Sequence, residues 1–196
     1  MTDSVEKRFV ARMRTLLVAL PYNLKALFEA MSDEDLPSDA RRLATGAVIY
    51  CVSPADPIPD YSGLVGFTDD VVAVRLVLRQ LLDLGGEAIE DYPERFPEQF
   101  EGLDDDLKLF QEYLGDDMGW LERRMKPDKM NEVKYKGKTI ADFIADEEAG
   151  QYLYEEGLEF TTEYEIDDEA AEKLATGKPV RDAFAKRRNF EEKESR

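Results

Sequence analysis

The chain has no histidine. That removes the commonest general base, the commonest zinc ligand and the Ser-His and Cys-His nucleophile pairs. It has one cysteine, Cys51, so neither an intramolecular disulfide nor a cysteine-rich metal site can form. Cys51 stands between Tyr50 and Val52 with no neighbouring cation to lower its pKa, and reads as a small core residue. Positive charge is also scarce. Lys and Arg number 26 against 44 Asp and Glu, giving a net charge of -18 over 196 residues. Such a surface repels phosphate backbones and anionic lipid headgroups, so generic nucleic-acid binding is disfavoured. It favours solubility or a basic protein partner. No apolar run approaches the ~20 residues needed to span a bilayer. Charges at Glu6, Lys7, Arg8, Arg12 and Arg14 break any leader-like apolar stretch, and the expectation is a cytoplasmic protein.

What is present is helical patterning. Val5, Phe9, Met13, Leu16, Leu17 and Leu20 recur at three- and four-residue spacing, with Lys7, Arg8, Arg12 and Arg14 mostly off that stripe. Pro21 punctuates the pattern, and Leu24, Leu27, Phe28 and Met31 give a second helix its buried side. Ser38 or Asp39 is suited to cap a third helix running to about Val52, apolar nearly all round and therefore central. A fourth begins at Asp69-Asp70, acids that suit an N-terminus by capping and by the dipole, and stops near Gly85-Gly86.

From Asp91 to Trp120 ten acids face two cations, Arg95 and Lys108, while Leu103, Leu107, Phe110 and Leu114 carry a helical stripe that Trp120, Leu121 and Met125 extend. The remainder differs. Val133 to Lys138 reads as a short strand and turn. Thr139-Ile-Ala-Asp142 has capping-box form ahead of a helix to about Tyr154. Leu158, Phe160, Thr162, Tyr164 and Ile166 alternate with polar residues, the best strand signal in the chain. Asp167 or Asp168 suits the cap of a helix ending at Gly177, and Lys178-Pro179 then separates a final mixed-charge helix or frayed tail. The expected fold is mainly α: a helical bundle or hairpin core over residues 1–125, with a smaller α+β C-terminal part over 126–196.

The densest feature is the connection from Tyr50 to Asp70, with three prolines (Pro54, Pro57, Pro59), two glycines (Gly63, Gly66) and four aspartates. Asp56, Asp60, Asp69 and Asp70 are candidate oxygen ligands for Mg²⁺ or Ca²⁺. Their spacing is not that of an EF-hand. Turn and cap roles account for the same residues: the prolines fix φ, Asp60 suits an Asx-turn, and Asp69 or Asp70 suits a helix start. Arg75 and Arg79 stand four apart and can hold an anion, although a solvated face or a pairing with the acidic segment is the simpler reading.

The run Ser53-Pro54-Ala-Asp56-Pro-Ile58-Pro59-Asp60, preceded by Tyr50 and followed by Gly66-Phe-Thr-Asp69-Asp70, resembles the YkvA-like family of bacterial domains of unknown function. The resemblance covers about forty residues. Pro57 and Ser62 depart from the family pattern, and Arg75 and Arg79 interrupt the second helix. It implies a helical hairpin with no established catalytic activity, and a membrane-associated alternative. Three functional classes follow. The leading one is a non-enzymatic interaction or regulatory protein using the acidic segment. The others are a divalent-cation sensor or enzyme centred on the four aspartates, and a peripheral membrane protein.

Overall fold

In a computed structural model the chain is described over residues 4–53 and 60–194, the side chains of residues 60–62 and 194 excepted. The fold is mainly α. Its central layer is α1 (Val5–Ser32), α2 (Ser38–Val52) and α3 (Thr68–Leu84), each packed on the other two. A 3₁₀ turn (Asp60–Val65) leads into α3. Short helices α4 (Tyr92–Arg95) and α5 (Pro97–Phe100) precede α6 (Leu103–Leu114), which lies across α1 and α3. Then follow α7 (Asp116–Arg124), α8 (Pro127–Met130) and the hairpin β1 (Lys134–Tyr135) and β2 (Lys138–Thr139), paired antiparallel. The chain closes with α9 (Ile140–Ala145), α10 (Glu147–Glu163), α11 (Asp168–Ala171) and α12 (Lys178–Glu194). α2 also packs on α8, α9 and α10, so the motif helix is enclosed from both halves of the sequence.

Pro21 does not divide the first helix. α1 runs unbroken through it, where two helices were expected. Proline at 21 removes the N–H that would bond the Leu17 carbonyl. The hydroxyl of Tyr164 donates to that carbonyl at 2.7 Å instead, so the gap in the ladder is closed from outside the helix.

The alternating segment Leu158–Ile166 is not a strand. α10 continues through Glu163, and Thr161 and Thr162 donate to the Leu158 carbonyl. The physical reason lies in the spacing of Phe160 and Tyr164, which satisfies a helical four-residue repeat as well as an alternation. Both rings pack on Phe67, at 6.2 and 5.1 Å between centroids. Leu158, which a buried strand face would need, is exposed.

Other boundaries shift by small steps. α2 starts at Ser38 with Pro37 as its cap residue, and Asp39 sits in the first turn. α6 and α7 are separate helices, broken at Gly115, whose φ of 60° with ψ of -124° suits glycine. The Thr139 capping box is present, with Thr139 and Asp142 bonded reciprocally, but the helix pauses at Asp146, which caps α10. Asp167 caps α11, and that helix ends by Ala171 rather than reaching Gly177. Cys51 is buried in the core.

Candidate functional site

The site is built where α2 ends and α3 begins. α2 carries Leu43, Ala44, Ala47, Val48 and Cys51 into the core. Gly46 admits α8: a Cβ there would lie 2.2 Å from the Met130 sulfur. At the far end of the connection the Gly66 N–H bonds the Gly63 carbonyl at 2.8 Å, Gly63 has φ of 68°, and the Thr68 hydroxyl bonds the Val65 carbonyl at 2.7 Å. These turns deliver Asp69 and Asp70 into the first turn of α3. Phe67 occupies the cap position, so neither aspartate is the cap residue.

Asp69 and Asp70 are both fully buried. The Tyr50 hydroxyl donates to Asp69 Oδ2 at 2.7 Å, tying the end of α2 to the start of α3. Buried carboxylates need donors or opposite charge, and the partial positive charge of a helix N-terminus contributes here. Asp56 lies outside the described residues, as does the side chain of Asp60. Among the described residues no three carboxylate or cysteine groups cluster as a metal ion would require.

Two turns along α3 stands Arg75, fully buried. Its guanidinium donates to the carbonyls of Gln99 and Glu101, each at 2.6 Å, and lies 2.6 Å from Asp106 Oδ2. Arg12 of α1 grips the same carboxylate, with Nε 2.5 Å from Oδ1 and Nη2 3.0 Å from Oδ2. Burial pushes the Arg75 pKa down, and the Asp106 charge opposes that shift. The hydrogen bond to Asp106 raises that of Arg12. One carboxylate thus joins α1, α3 and α6. Around it, Arg79 bonds Asp104 at 2.7 Å and Asp83 at 2.6 Å, and Arg8 bonds Glu112 at 2.9 Å. Arg75 and Arg79 therefore pair with the acidic segment, the simpler of the two readings the sequence offered.

The inner row of acids is thereby committed to structure. Asp117 joins it through Arg188 of α12 at 2.8 Å, and burial pushes the Asp117 carboxyl up against that pairing. The outer row differs. Glu87, Glu90, Glu94, Glu98, Glu101 and Asp105 are exposed and form no ion pair among the described residues. Glu98, Glu101 and Asp105 line one open groove of about 740 Å³ between α1 and α6.

Two features escaped sequence reasoning. Glu191 of α12 accepts from Trp120 Nε1 at 3.0 Å, Arg124 Nη1 at 2.7 Å and Arg187 Nε at 3.1 Å, holding the C-terminal helix on α7. No local signal marks contacts that span 67 and 71 residues of sequence. The second is a cationic stretch, Arg123–Lys138, with seven Lys and Arg against Asp128 and Glu132. A running charge tally would have found it.

The family model described as "Protein of unknown function (DUF1232)" matches residues 40–76, which covers most of α2, the connection and the first half of α3. No curated protein and no solved structure matches the chain. No described helix is long and apolar enough to cross a membrane.

Proposed function

We propose that this chain is a non-enzymatic interaction or regulatory protein that takes a basic partner on the face running from Glu87 to Asp105. One observation carries the reading. The acids of this region divide into an inner row spent on Arg12, Arg75, Arg79 and Arg188, and an outer row of six exposed carboxylates without ion pairs among the described residues. Charge needed for the fold is already neutralised, and what remains faces outward. Unpaired like charges repel one another, and a cationic partner relieves that repulsion while being steered in. The absence of histidine from the whole chain supports a role without acid–base chemistry. The test is a binding experiment with immobilised protein at low and moderate salt, comparing wild type with Glu94→Lys/Glu98→Lys/Glu101→Lys.

A second reading rests on the full burial of Asp69 beside Asp70 at the base of the aspartate-rich connection. Two adjacent carboxylates at one helix start, with Asp56 and Asp60 nearby in sequence, are the oxygen ligands a divalent-cation sensor or enzyme would use for Mg²⁺ or Ca²⁺. A cation bound only by the folded state raises stability by about 2.7 kcal/mol at a hundredfold excess over Kd. Thermal melts with EDTA, Mg²⁺, Ca²⁺ and Mn²⁺ decide it, and unchanged melting temperatures remove it. The YkvA-like resemblance adds a peripheral membrane role, which liposome flotation with and without Ca²⁺ addresses.

A further inference from the structure

Beside the motif a pocket of about 290 Å³ opens between the end of α2 and the α7–β1 segment. Tyr50, Met125 and Met130 form its apolar wall, and Arg124, Lys129 and Lys134 stand against a single acid, Glu132. We propose that this pocket binds an amphiphilic organic anion, a short apolar chain or ring ending in a phosphate or carboxylate.

The charge argument is local. The chain is strongly acidic, yet Arg123–Lys138 holds seven cations to two acids, a surplus of five. Several of these are spent: Lys136 on Glu156 at 2.8 Å, Lys138 on Asp146 at 3.3 Å, Arg124 on Glu191 at 2.7 Å. Of the three that line the pocket, Arg124 is therefore held, while Lys129 and Lys134 are not held in the same way. Lys134 is exposed and forms no ion pair among the described residues. Lys129 has only an exposed bridge to Glu132 at 3.2 Å on its own short segment, worth little in water. Both ammonium groups are available to an anion.

The apolar wall sets the rest of the ligand. Met125 and Met130 are buried, and methionine adapts its shape to varied apolar groups. Met130 is keyed to the absence of a side chain at Gly46, so this wall is built against the motif helix rather than draped over it. The Tyr50 hydroxyl donates to Asp69, and Tyr50 lines the pocket. The volume lies at the lower limit of small-molecule sites, about 300–1,000 Å³.

Size and screening exclude a polyanion. At physiological salt a charge is felt over about 8 Å, so one small anion can sit under Lys129 and Lys134 despite the net charge. A phosphate polymer would have to run along the acidic surface as well.

The probe is octyl phosphate below its micelle concentration, measured by titration calorimetry with the full chain beside inorganic phosphate and 1-octanol. Saturable one-to-one binding is expected, at least tenfold tighter than either fragment. Lys129→Glu/Lys134→Glu should weaken it at least tenfold with an unchanged melting temperature, since both lysines are exposed. Flotation with vesicles containing anionic lipid separates the sources. Charge-reversal-sensitive flotation assigns the anion to a lipid headgroup. Octyl phosphate binding without flotation assigns it to a free metabolite. No saturable binding of octyl phosphate, or binding that survives the double charge reversal, overturns the proposal.

Discussion

The hydroxyl of Tyr164 donates to the carbonyl of Leu17 at 2.7 Å, across 147 positions of sequence. Leu17 is the residue whose helical partner Pro21 deletes, and it is fully buried. An acceptor left alone there costs about 1–3 kcal/mol. Tyr164→Phe is therefore expected to destabilise the protein by that amount in urea unfolding. In a Pro21→Ala background the backbone N–H returns, and the same substitution should cost less than half as much. Equal costs in both backgrounds would show that the hydroxyl does not serve the proline gap.

The shared carboxylate of Asp106 is the most concentrated charge pairing in the described core. Removing it leaves Arg75 buried with only the Gln99 and Glu101 carbonyls. Breaking a buried pair in this way costs about 3–5 kcal/mol, roughly 6–20 °C in Tm for a chain of this size. Asp106→Ala should show that loss in a thermal melt. Arg79→Ala, which breaks partly exposed bridges to Asp83 and Asp104, should stay within about 1 kcal/mol. Similar losses for the two variants would contradict the central role given to Asp106.

Acid sensitivity should trace to the hairpin. Hydrogen bonds from Lys136, Tyr135 and Tyr152 hold the Glu156 carboxyl down at about 2. A carboxylate depressed in the folded state stabilises above its unfolded pKa of about 4.3, and that contribution is lost as pH falls toward 2. Desolvation and the bond to Glu156 push the Tyr135 hydroxyl up to about 12, so it donates throughout this range. Urea midpoints of wild type and Glu156→Gln should differ clearly at pH 6, by roughly half as much at pH 3, and converge only as the pH reaches about 2. A gap that does not shrink between pH 6 and pH 3 would place the effect elsewhere.

Close packing of α10 on α1 is expected to be unforgiving at Gly157. A Cβ at that position lies 2.4 Å from a Phe28 ring carbon. Gly→Ala in a helix interior gains up to about 1 kcal/mol in propensity, while overpacking costs about 1–3 kcal/mol. The ring is also braced by Tyr154, 5.2 Å away between centroids, so packing should win. Gly157→Ala should lower the urea midpoint, and a raised midpoint would show that Phe28 has room to move.

Much of the helical frame was legible because its stripes are long. Leu103 to Leu114 and the stretch ending at Gly85 appear where periodicity and glycine put them. What misled was local chemistry that distant residues override. Pro21 reads as a stop only when no hydroxyl reaches Leu17, and Tyr164 is invisible from position 21. Phe160 and Tyr164 satisfy both a two- and a four-residue repeat, so the pattern alone could not choose. At the motif, the residues and their spacing identified Asp69 and Asp70, but not that both are buried or that Tyr50 bonds one of them. The division of the acids into paired and unpaired rows depends on which arginines the fold delivers to α6, which no local window contains.

The outward acidic face is the feature through which this protein is proposed to act. The decisive measurement is quantitative capture from the native host at low and moderate salt, by wild type and by Glu94→Lys/Glu98→Lys/Glu101→Lys, after confirming equal melting temperatures. The prediction is a small set of basic proteins held by wild type, weakened by salt and lost at least tenfold in the triple variant. Identical capture by both proteins, or no salt-sensitive partner for wild type, would contradict it.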